Sequence, residues 1–302
     1  MEHLVLGLVL VAGTLATGNP LQQQNQRAIE EKVLDMAPST FDDQYRGCSR
    51  MMEEELGELN RTEFNNNRVY AEAWTQAAAE WRNRGGRVPQ APSLGTEQAV
   101  AILAYTMHGR LFQTFNAAVR EAGRSRREYL DKFHFKVLHF LLTQALSNLK
   151  RAQPHRCHHV YRGVLGIRFT ARRQDLVRFG QFTSTSLQNK SALDFGQDTF
   201  FSVYTCYGVP IRDFSLYPNE DEVLIPPYET FEVTNVTRHG DRACIHLHSR
   251  DAFSNYSCEW LKEKRCQDTP CDIRAGSSIV GDTPLLWGLL LAATALAAMG
   301  GP

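Results

Sequence analysis

The stretch FSLYPNEDEVLIPPYETFEV, residues 214–233, places two glutamates, Glu220 and Glu222, at the start of an apolar run. The fold and function predicted from the sequence depend mainly on this stretch. The apolar run predicts a strand. Alternate residues of a strand point to one face, so we expect Glu220 and Glu222 to lie side by side. Like charges that close disfavour joint ionisation, which makes the pair costly unless a ligand uses it. The alternative is a solvated strand end directly after a Pro-Asn turn.

The length and charge of the chain narrow the classes of protein to which it can belong. Its 302 residues suffice for one large domain or two small ones with a sizeable core. The 33 basic residues balance the 33 acidic ones, giving a formal net charge of +0. This balance does not favour a polyanion-binding surface, so we expect no nucleic acid as a partner.

Both ends of the chain carry patterns typical of secretory processing. Residues 4–17, LVLGLVLVAGTLAT, form a short apolar run before polar sequence, which predicts a cleaved signal peptide over 1–18. Near the other end, LLWGLLLAATALAAM (285–299) follows a group of small residues and a short spacer. That order is typical of a glycosylphosphatidylinositol-anchor signal. We therefore expect a stalk over 266–276 and removal of 277–302, which would place the protein on the cell surface through its lipid anchor only.

Two alternatives remain open for this processing. The second apolar run could be a buried C-terminal helix, because it is apolar on every face. The protein could also exist as a soluble form, either secreted or in the lumen of a granule.

Sequons and cysteines agree with an extracellular location. Four N-x-S/T sequences are candidate glycosylation sites, at Asn60, Asn189, Asn235 and Asn255. The seven cysteines predict disulfides rather than thiolate chemistry. Because their number is odd, at least one thiol is unpaired within a monomer.

The spacing of apolar residues divides the middle of the chain in two. From Phe64 to about Arg151 they recur at helical intervals, and the longest helix is predicted over 125–151. After Pro154, short β runs alternate with polar turns. Helices followed by strands predict an α+β fold, with an N-terminal helical region packed on one side of a mixed or antiparallel sheet. We expect a single catalytic domain over 19–265.

Three polar features interrupt the predicted strands. Arg162 lies within HVYRGVLG, and guanidinium is the side chain best suited to bidentate phosphate contact. The run GQFTSTS gives one strand face the hydroxyls of Ser184 and Ser186. The glutamate pair is the third feature. Each feature also has an alternative explanation without function: Arg162 as an arginine at the rim of the fold, the GQFTSTS run as a Ser/Thr-rich edge strand, and the glutamate pair as a solvated acidic turn.

Other chemistries have weaker support in the sequence. It contains no G-x-G-x-x-G, Walker A or H-E-x-x-H motif. His155, Cys157, His158 and His159 have the composition of a zinc site, but adjacent residues on an extended chain diverge. A disulfide is the preferred interpretation of Cys157, and we expect no metal.

Taken in order, Arg162, the S-T-S run and the E-x-E triplet resemble the R-S-E class of mono-ADP-ribosyltransferases, most closely the vertebrate ecto-enzymes that modify arginine. The resemblance extends from DMAPSTFDDQYRGC (35–48) through RFGQFTSTS and FGQDTF to SNYSC (254–258). It implies the α+β NAD-binding core of that superfamily, without a Rossmann fingerprint. It also implies NAD, with NADP as a variant, as co-substrate rather than prosthetic group. The expected acceptors are arginine-bearing extracellular or surface proteins, and the expected state is a monomer.

The resemblance also implies a role for each motif residue. Arg162 would hold the NAD pyrophosphate, and Ser184 would support the catalytic glutamate and the nicotinamide ribose. Glu222 would bind the 2′-hydroxyl of that ribose, and Glu220 would orient the acceptor guanidinium. Further contacts implied in the same way are Tyr105, Gln181 and Ser215 with NAD, Phe195 with nicotinamide, and Tyr217 with the acceptor.

A disulfide pattern follows from the same resemblance. It pairs Cys48 with Cys258 and Cys157 with Cys206. Cys266 and Cys271 are then expected to pair locally in the stalk, which leaves Cys244 free.

Three rival functions fit parts of the pattern. An NAD glycohydrolase on the same fold would use water as acceptor, which leaves Glu220 without a purpose. A non-catalytic surface binding module does not need an intact Arg162, Ser184 and Glu222. A two-carboxylate glycosidase acting on sugars explains neither Arg162 nor the S-T-S strand.

Overall fold

The computed structural model describes residues 29–86, 94–107, 109–153 and 156–268, with side chains as far as 264. The signal peptide expected over 1–18 and the anchor signal expected over 277–302 lie outside these ranges. Among the described residues, six helices precede the strands of the main sheet, one lies between two of those strands, and one follows the last strand. They are α1 Ser49–Asn66, α2 Arg68–Asn83, α3 Thr96–Thr106, α4 Arg110–Ala122, α5 Arg126–Lys132, α6 Lys136–Ala152, α7 Asn189–Asp194 and α8 Glu259–Asp268. In the described ranges, no helix is both long and apolar enough to span a bilayer.

The strands form one large sheet and one small one. They are β1 Glu30–Val33, β2 His158–Val164, β3 Ile167–Thr170, β4 Leu176–Val177, β5 Thr183–Ser186, β6 Thr199–Thr205, β7 Val209–Pro210, β8 Glu222–Ile225, β9 Glu229–His239 and β10 Arg242–Ala252. The large sheet has the order β4-β9-β10-β6-β2-β5-β8-β7, and β1 pairs with β3 separately. Only β6 and β10 run parallel in the large sheet, so it is mixed, and the predicted α+β fold is confirmed.

The large sheet opens between β2 and β5. Whereas β2 pairs with β6 along its whole length, it pairs with β5 at a single position, Tyr161 with Ser186. The two strands therefore diverge on either side of this point. Phe182 just before β5, Val209 of β7 and Leu224 of β8 belong to the core of the helical region. Val223 and Ile225, on the other face of β8, join residues of β2, β6, β9 and β10 in a second core.

Helices α3 and α6 form the centre of the helical core. Helix α3 has the sequence TEQAVAILAYT, which is apolar on nearly every side, and it is buried from Ala99 to Thr106. A helix of that kind needs neighbours all round, and α2, α4 and α6 supply them. Tyr105 near its C-terminal end thereby becomes a fixed, buried side chain beneath the sheet opening.

The predicted long helix over 125–151 is wrong, because the chain forms α5 and α6 with a break at 133–135. Glu63 of α1 causes the break: its Oε1 accepts from the backbone N of Lys136 at 2.7 Å and its Oε2 from that of Val137 at 3.0 Å. The carboxylate thus replaces the hydrogen bonds that a continuous helix would make. Burial raises the pKa of Glu63 to about 7. Helix α1 itself begins 15 residues before Phe64, the start of the predicted helical region.

A buried ion pair joins the N-terminal segment to the sheet and to the C-terminal segment. Arg178, just after β4, is 1% exposed, and its Nη1 donates to Asp42 Oδ2 at 2.6 Å. The guanidinium also donates to the carbonyls of Met36 at 2.8 Å and Phe253 at 3.1 Å. Asp42 accepts in turn from the backbone N of Asn255 at 2.8 Å. Each charge is therefore hydrogen-bonded on several sides, as a buried ion pair requires.

Two disulfides reinforce this arrangement, and they are the pairs that the resemblance implies. Cys48–Cys258 joins residues 210 apart in sequence, and Cys157–Cys206 joins the start of β2 to the end of β6. Cys244 carries a free thiol, while the expected Cys266–Cys271 pair lies outside the described side chains. Closing a loop as long as the first contributes on the order of 5 kcal/mol in the chain-entropy model.

We expect Asp42→Asn to lower the free energy of unfolding by about 3–5 kcal/mol, because it leaves the Arg178 guanidinium buried without its counter-charge. Urea unfolding with the disulfides intact measures this change. Asp241→Asn is the matched control, since the Asp241 side chain is 96% exposed where it pairs with Arg168, and its loss should have little effect. Equal stability of both variants would show that the buried pair contributes nothing.

Candidate active site

A cavity of about 460 Å³ lies where β2 and β5 diverge. Its wall includes all four residues of the three-part motif, Arg162, Ser184, Glu220 and Glu222. The S-T-S strand and the arginine strand thus face one space. A volume in this range suits a small ligand rather than a protein segment.

Arg162 projects from β2 and is tied to β5. Its Nη1 donates to the backbone carbonyl of Ser184 at 2.6 Å, which bridges the two diverging strands. Burial lowers the pKa of Arg162, and the nearby Tyr105 and Glu222 oppose this shift. Because the ordinary guanidinium pKa lies far above neutral, the side chain stays charged at neutral pH. A desolvated guanidinium on a cavity wall is suited to bind an anion.

The S-T-S strand contributes hydroxyl groups to the same wall. Ser184 and Ser186 both line the cavity. Opposite them on β8 stand Leu224 and Glu222, respectively. The Oγ of Ser186 donates to the carbonyl of Glu220 at 2.6 Å. Strand β5 therefore holds the backbone around both glutamates.

The two glutamates do not share a strand face, which corrects the prediction from their spacing. Glu220 ends a 3-10 turn, Pro218–Glu220, and Glu222 is the first residue of β8. Between them Asp221 has φ 44° and ψ 50°, a left-handed conformation. Alternation of side chains does not hold through such a residue. The turn nevertheless brings both side chains to the cavity wall.

Glu222 is the more buried of the two glutamates, at 5% exposure. The Oγ of Ser215 lies 3.5 Å from its Oε2, at the outer limit of a hydrogen bond, and also accepts from the backbone N of Tyr217 at 3.0 Å. Arg84 of the helical region donates to the carbonyl of Ser215 at 2.9 Å. Ser215 therefore lies behind Glu222 rather than on the cavity wall.

Two of the remaining expected NAD contacts, Tyr105 and Phe195, line the cavity. Tyr105 is fully buried, and its hydroxyl donates to the carbonyl of Phe182 at 2.8 Å and accepts from Asn116 at 3.1 Å. Burial raises the pKa of Tyr105, so its hydroxyl remains protonated. Phe195 is 50% exposed, which leaves its ring accessible to a ligand.

The other two expected contacts lie off the cavity wall. Gln181 precedes β5, and its Oε1 accepts from Nη1 of Arg120. Tyr217 is 39% exposed in the loop before Glu220. The contacts of Gln181 with NAD and of Tyr217 with the acceptor therefore stay predictions for the ligand-bound protein.

Gly163 is a site residue that the sequence interpretation missed. A Cβ at this position would lie 2.2 Å from the carbonyl oxygens of Ala192 and Gly196. The absence of a side chain lets α7 pack directly on β2, and Ala192 and Phe195 then form part of the cavity wall. The signal was the glycine that directly follows Arg162 inside a predicted strand.

The candidate zinc cluster has a different role. Cys157 is in a disulfide with Cys206, beside the start of β2. His155 is outside the described residues. Among those that are described, no group of three or more His, Cys, Asp or Glu side chains could hold a metal ion.

The chain resembles known proteins along most of its length. Residues 34–255 match the family NAD:arginine ADP-ribosyltransferase. The chain is 54% identical over 276 residues to the erythroblast NAD(P)(+)–arginine ADP-ribosyltransferase of Gallus gallus, covering 91% of this chain and 91% of the relative. It is 45% identical to the GPI-linked NAD(P)(+)–arginine ADP-ribosyltransferase 1 of Homo sapiens, covering 96% and 93%.

Solved structures agree with these relatives. The crystal structure of the eukaryotic mono-ADP-ribosyltransferase ART2.2 matches with a TM-score of 0.64 and 38% identity, covering 75% of this chain and 98% of that one. A mutant of the same enzyme in complex with NADH matches equally well, with a TM-score of 0.64 and 39% identity.

Gly163→Ala should displace α7 and deform the cavity, because the new methyl group would overlap backbone atoms that cannot rotate away. We expect a destabilisation of roughly 1–3 kcal/mol and a marked loss of nicotinamide release from NAD. Thermal unfolding and nicotinamide assays measure the two effects. Gly57→Ala in α1, where a Cβ meets nothing within 4 Å, is the control and should leave both unchanged or raise stability. Full activity of Gly163→Ala would contradict this role.

Proposed function

Because the chain belongs to the NAD:arginine ADP-ribosyltransferase family, we propose that it transfers ADP-ribose from NAD to arginine side chains of proteins and releases nicotinamide. The observation that carries the proposal is the presence of Arg162, Ser184 and both glutamates on the wall of one cavity. The reaction needs a cation to bind the dinucleotide. It also needs one carboxylate for the ribose that becomes positively charged and one for the acceptor guanidinium.

Arg162 binds the NAD pyrophosphate in this proposal. Its desolvated guanidinium presents a planar fork of donors, which matches the geometry of phosphate oxygens. Its bond to the Ser184 carbonyl fixes the direction of that fork. Tyr105 and Phe195 supply aromatic surface on the same wall, and the half-exposed Phe195 stacks on the nicotinamide.

Glu222 stabilises the bond-breaking step. The C–N bond between nicotinamide and ribose breaks with its electron pair on the nicotinamide nitrogen, which leaves an oxocarbenium-like ribose. A carboxylate held near that ribose stabilises the growing positive charge and binds the 2′-hydroxyl. Nicotinamide leaves as a neutral molecule, so no proton donor is needed. Ser184 supports the glutamate from the neighbouring strand.

Glu220 serves the acceptor. The guanidinium of a target arginine has a pKa far above neutral, so it stays protonated and is a poor nucleophile. A carboxylate beside it orients the group and takes a proton while its nitrogen forms the new bond to ribose C1′. Hydrolysis of NAD is the expected side reaction, because water can occupy the acceptor position.

The protein reaches its acceptors outside the cell in this proposal. A relative named as GPI-linked is 45% identical over 96% of this chain, and the two disulfides suit an oxidising compartment. We propose a lipid-anchored monomer with residues 1–18 and 277–302 removed and glycans on the sequons. Of the four sequon asparagines, Asn189 and Asn235 are exposed. Asn60 accepts a hydrogen bond from the Tyr70 hydroxyl, and Asn255 donates one to Asp42.

We expect Glu222→Gln to lose both transfer and NAD hydrolysis, because it removes the charge that faces the oxocarbenium-like ribose. A loss of roughly 10²–10³-fold is typical for one electrostatic transition-state contact. Glu220→Gln should lose transfer to agmatine while keeping much of the hydrolysis, since only the partner of the acceptor is missing. Nicotinamide release and agmatine modification are measured side by side for each purified variant.

Controls separate these effects from general damage. Glu53→Gln, an exposed position on α1, should change neither activity. Transfer to agmatine at the parent rate by Glu220→Gln would refute the division of labour, as would normal hydrolysis by Glu222→Gln.

The anchor is tested on intact cells that express the full chain. Phosphatidylinositol-specific phospholipase C should release the protein into the medium, whereas a chain ending at residue 276 should be secreted without the enzyme. Retention on the cells after phospholipase treatment, with residues 285–299 found in the mature chain by mass spectrometry, would reject the anchor.

A further inference from the structure

We infer that Asp221 and Arg212 are positioning residues whose ion pair holds the turn that presents Glu220 to the acceptor, and so sets the ratio of arginine transfer to NAD hydrolysis. This inference rests on the proposed function. Neither residue lines the cavity described above. They act through the backbone of the turn rather than on either substrate.

The conformation of Asp221 is the first observation. Its φ of 44° places it in the left-handed region, which few residues other than glycine adopt readily. Aspartate is one of those that tolerate it. If residue 221 continued the strand, the alternation of side chains would direct Glu220 and Glu222 in the same way along β8. The left-handed residue instead lets the two carboxylates approach the cavity from different backbone directions.

The side chain of Asp221 joins three segments of the chain. Its Oδ1 lies 3.0 Å from Nη1 of Arg212, in the loop after β7. Its Oδ2 accepts from Nε2 of Gln188, the residue before α7. Its backbone carbonyl accepts from the N of Leu187 at 3.2 Å. One residue between the two glutamates is thus tied to the strands on both of its sides.

Ser186 extends the same connection to Glu220. Its Oγ accepts from the backbone N of Gln188 at 2.9 Å and donates to the carbonyl of Glu220 at 2.6 Å. Gln188 therefore contacts the turn twice, once through Asp221 and once through this serine. The backbone of Glu220 is fixed by these contacts and by its place in the 3-10 turn.

Glu222 is held by different contacts. It lies on β8, opposite Ser186 in the ladder with β5, and it is buried. Loosening the turn at Asp221 should therefore move Glu220 more than Glu222. Because Glu220 serves the acceptor and Glu222 the ribose, transfer should fall more than hydrolysis.

Arg212→Gln distinguishes positioning from simple electrostatics by the sign of its effect. Agmatine is a cation, so removing a nearby positive charge would by charge alone strengthen its binding. Positioning predicts the opposite result. Arg212 is exposed, with 59% of its side chain accessible, so this variant should fold normally.

The experiment measures nicotinamide release and agmatine modification for the full enzyme, Arg212→Gln, Arg212→Lys, Asp221→Asn and the double variant Arg212→Gln/Asp221→Asn. We expect Arg212→Gln and Asp221→Asn each to lower the transfer-to-hydrolysis ratio by roughly threefold to fivefold, the range that partly exposed ion pairs support, with a higher KM for agmatine. Arg212→Lys should restore much of the ratio. The double variant should be no worse than Asp221→Asn alone, because that change already removes the ion pair with Arg212.

Asp213→Asn is the matched control, since it removes an exposed charge from the same loop and should leave the ratio unchanged. A ratio that is unchanged or raised in Arg212→Gln, or an equal fall of both activities, would overturn the inference. Additive losses in the double variant would also overturn it. Absence of agmatine transfer by the unmodified enzyme would instead refute the proposed function.

Discussion

The buried guanidinium of Arg178 is the constraint from which the position of the active-site strand follows. It is paired with Asp42, and it lies five residues before Thr183, the start of β5. The intervening backbone is held as well: Thr40 Oγ1 donates to the carbonyl of Gly180 at 2.8 Å. Gly180 has a φ of +69°, and a Cβ there would lie 2.5 Å from that of Ala37. The N-terminal segment therefore determines where the S-T-S strand begins.

The N-terminal segment that positions β5 is itself joined to the C-terminal segment at Asp42. Asp42 also binds the backbone of Asn255 and Tyr256, and the Cys48–Cys258 disulfide closes the same junction. A buried charge pair adds little net stability compared with apolar packing, but a mispaired arrangement leaves a charge unsatisfied. The ion pair thus favours one specific register of the two segments over any other. The disulfide lowers the conformational entropy of the unfolded chain.

Local patterns in the sequence predicted most elements, and long-range contacts account for the errors. The ends of α2 at Asn83 and α4 at Ala122 follow from glycines at Gly85 and Gly123 that the sequence displays directly. The break between α5 and α6 could not be predicted in that way. Its cause is the carboxylate of Glu63, which is 73 residues from the Lys136 amide that it caps.

The candidate site shows the same division. The order of Arg162, the S-T-S run and the two glutamates led to the family resemblance, which implied a common NAD site and the two disulfides. The structure places these motif residues on the wall of one cavity and contains both disulfides. The geometry of the glutamates was not predictable from alternation, because Asp221 leaves the strand conformation. Its partners Arg212 and Gln188 come from other segments, so the Pro-Asn turn was visible in the stretch but the left-handed conformation of Asp221 after it was not.

Three of the four glutamates in residues 214–233, Glu220, Glu222 and Glu229, show how surroundings give one side chain three roles. Glu220 sits on a turn and, in the proposed function, meets an acceptor that differs between target proteins. Glu222 is fixed on a buried strand and, in the same proposal, meets the ribose of NAD. Glu229 lies in the interior and accepts from Thr205 Oγ1 at 2.5 Å, the backbone N of Cys206 at 2.8 Å and Ser249 Oγ at 2.6 Å.

These donors offset the burial that raises the pKa of Glu229. They also fix the turn after β6, which carries the cysteine bonded to Cys157 at the start of β2. That strand presents Arg162 to the cavity. Glu229, which does not line the cavity, thus helps to hold the strand that carries Arg162. In the proposed function Arg162 binds the pyrophosphate, and the other two glutamates meet the ribose and the acceptor. What each glutamate does is decided by the number and direction of the donors that tertiary structure brings to it.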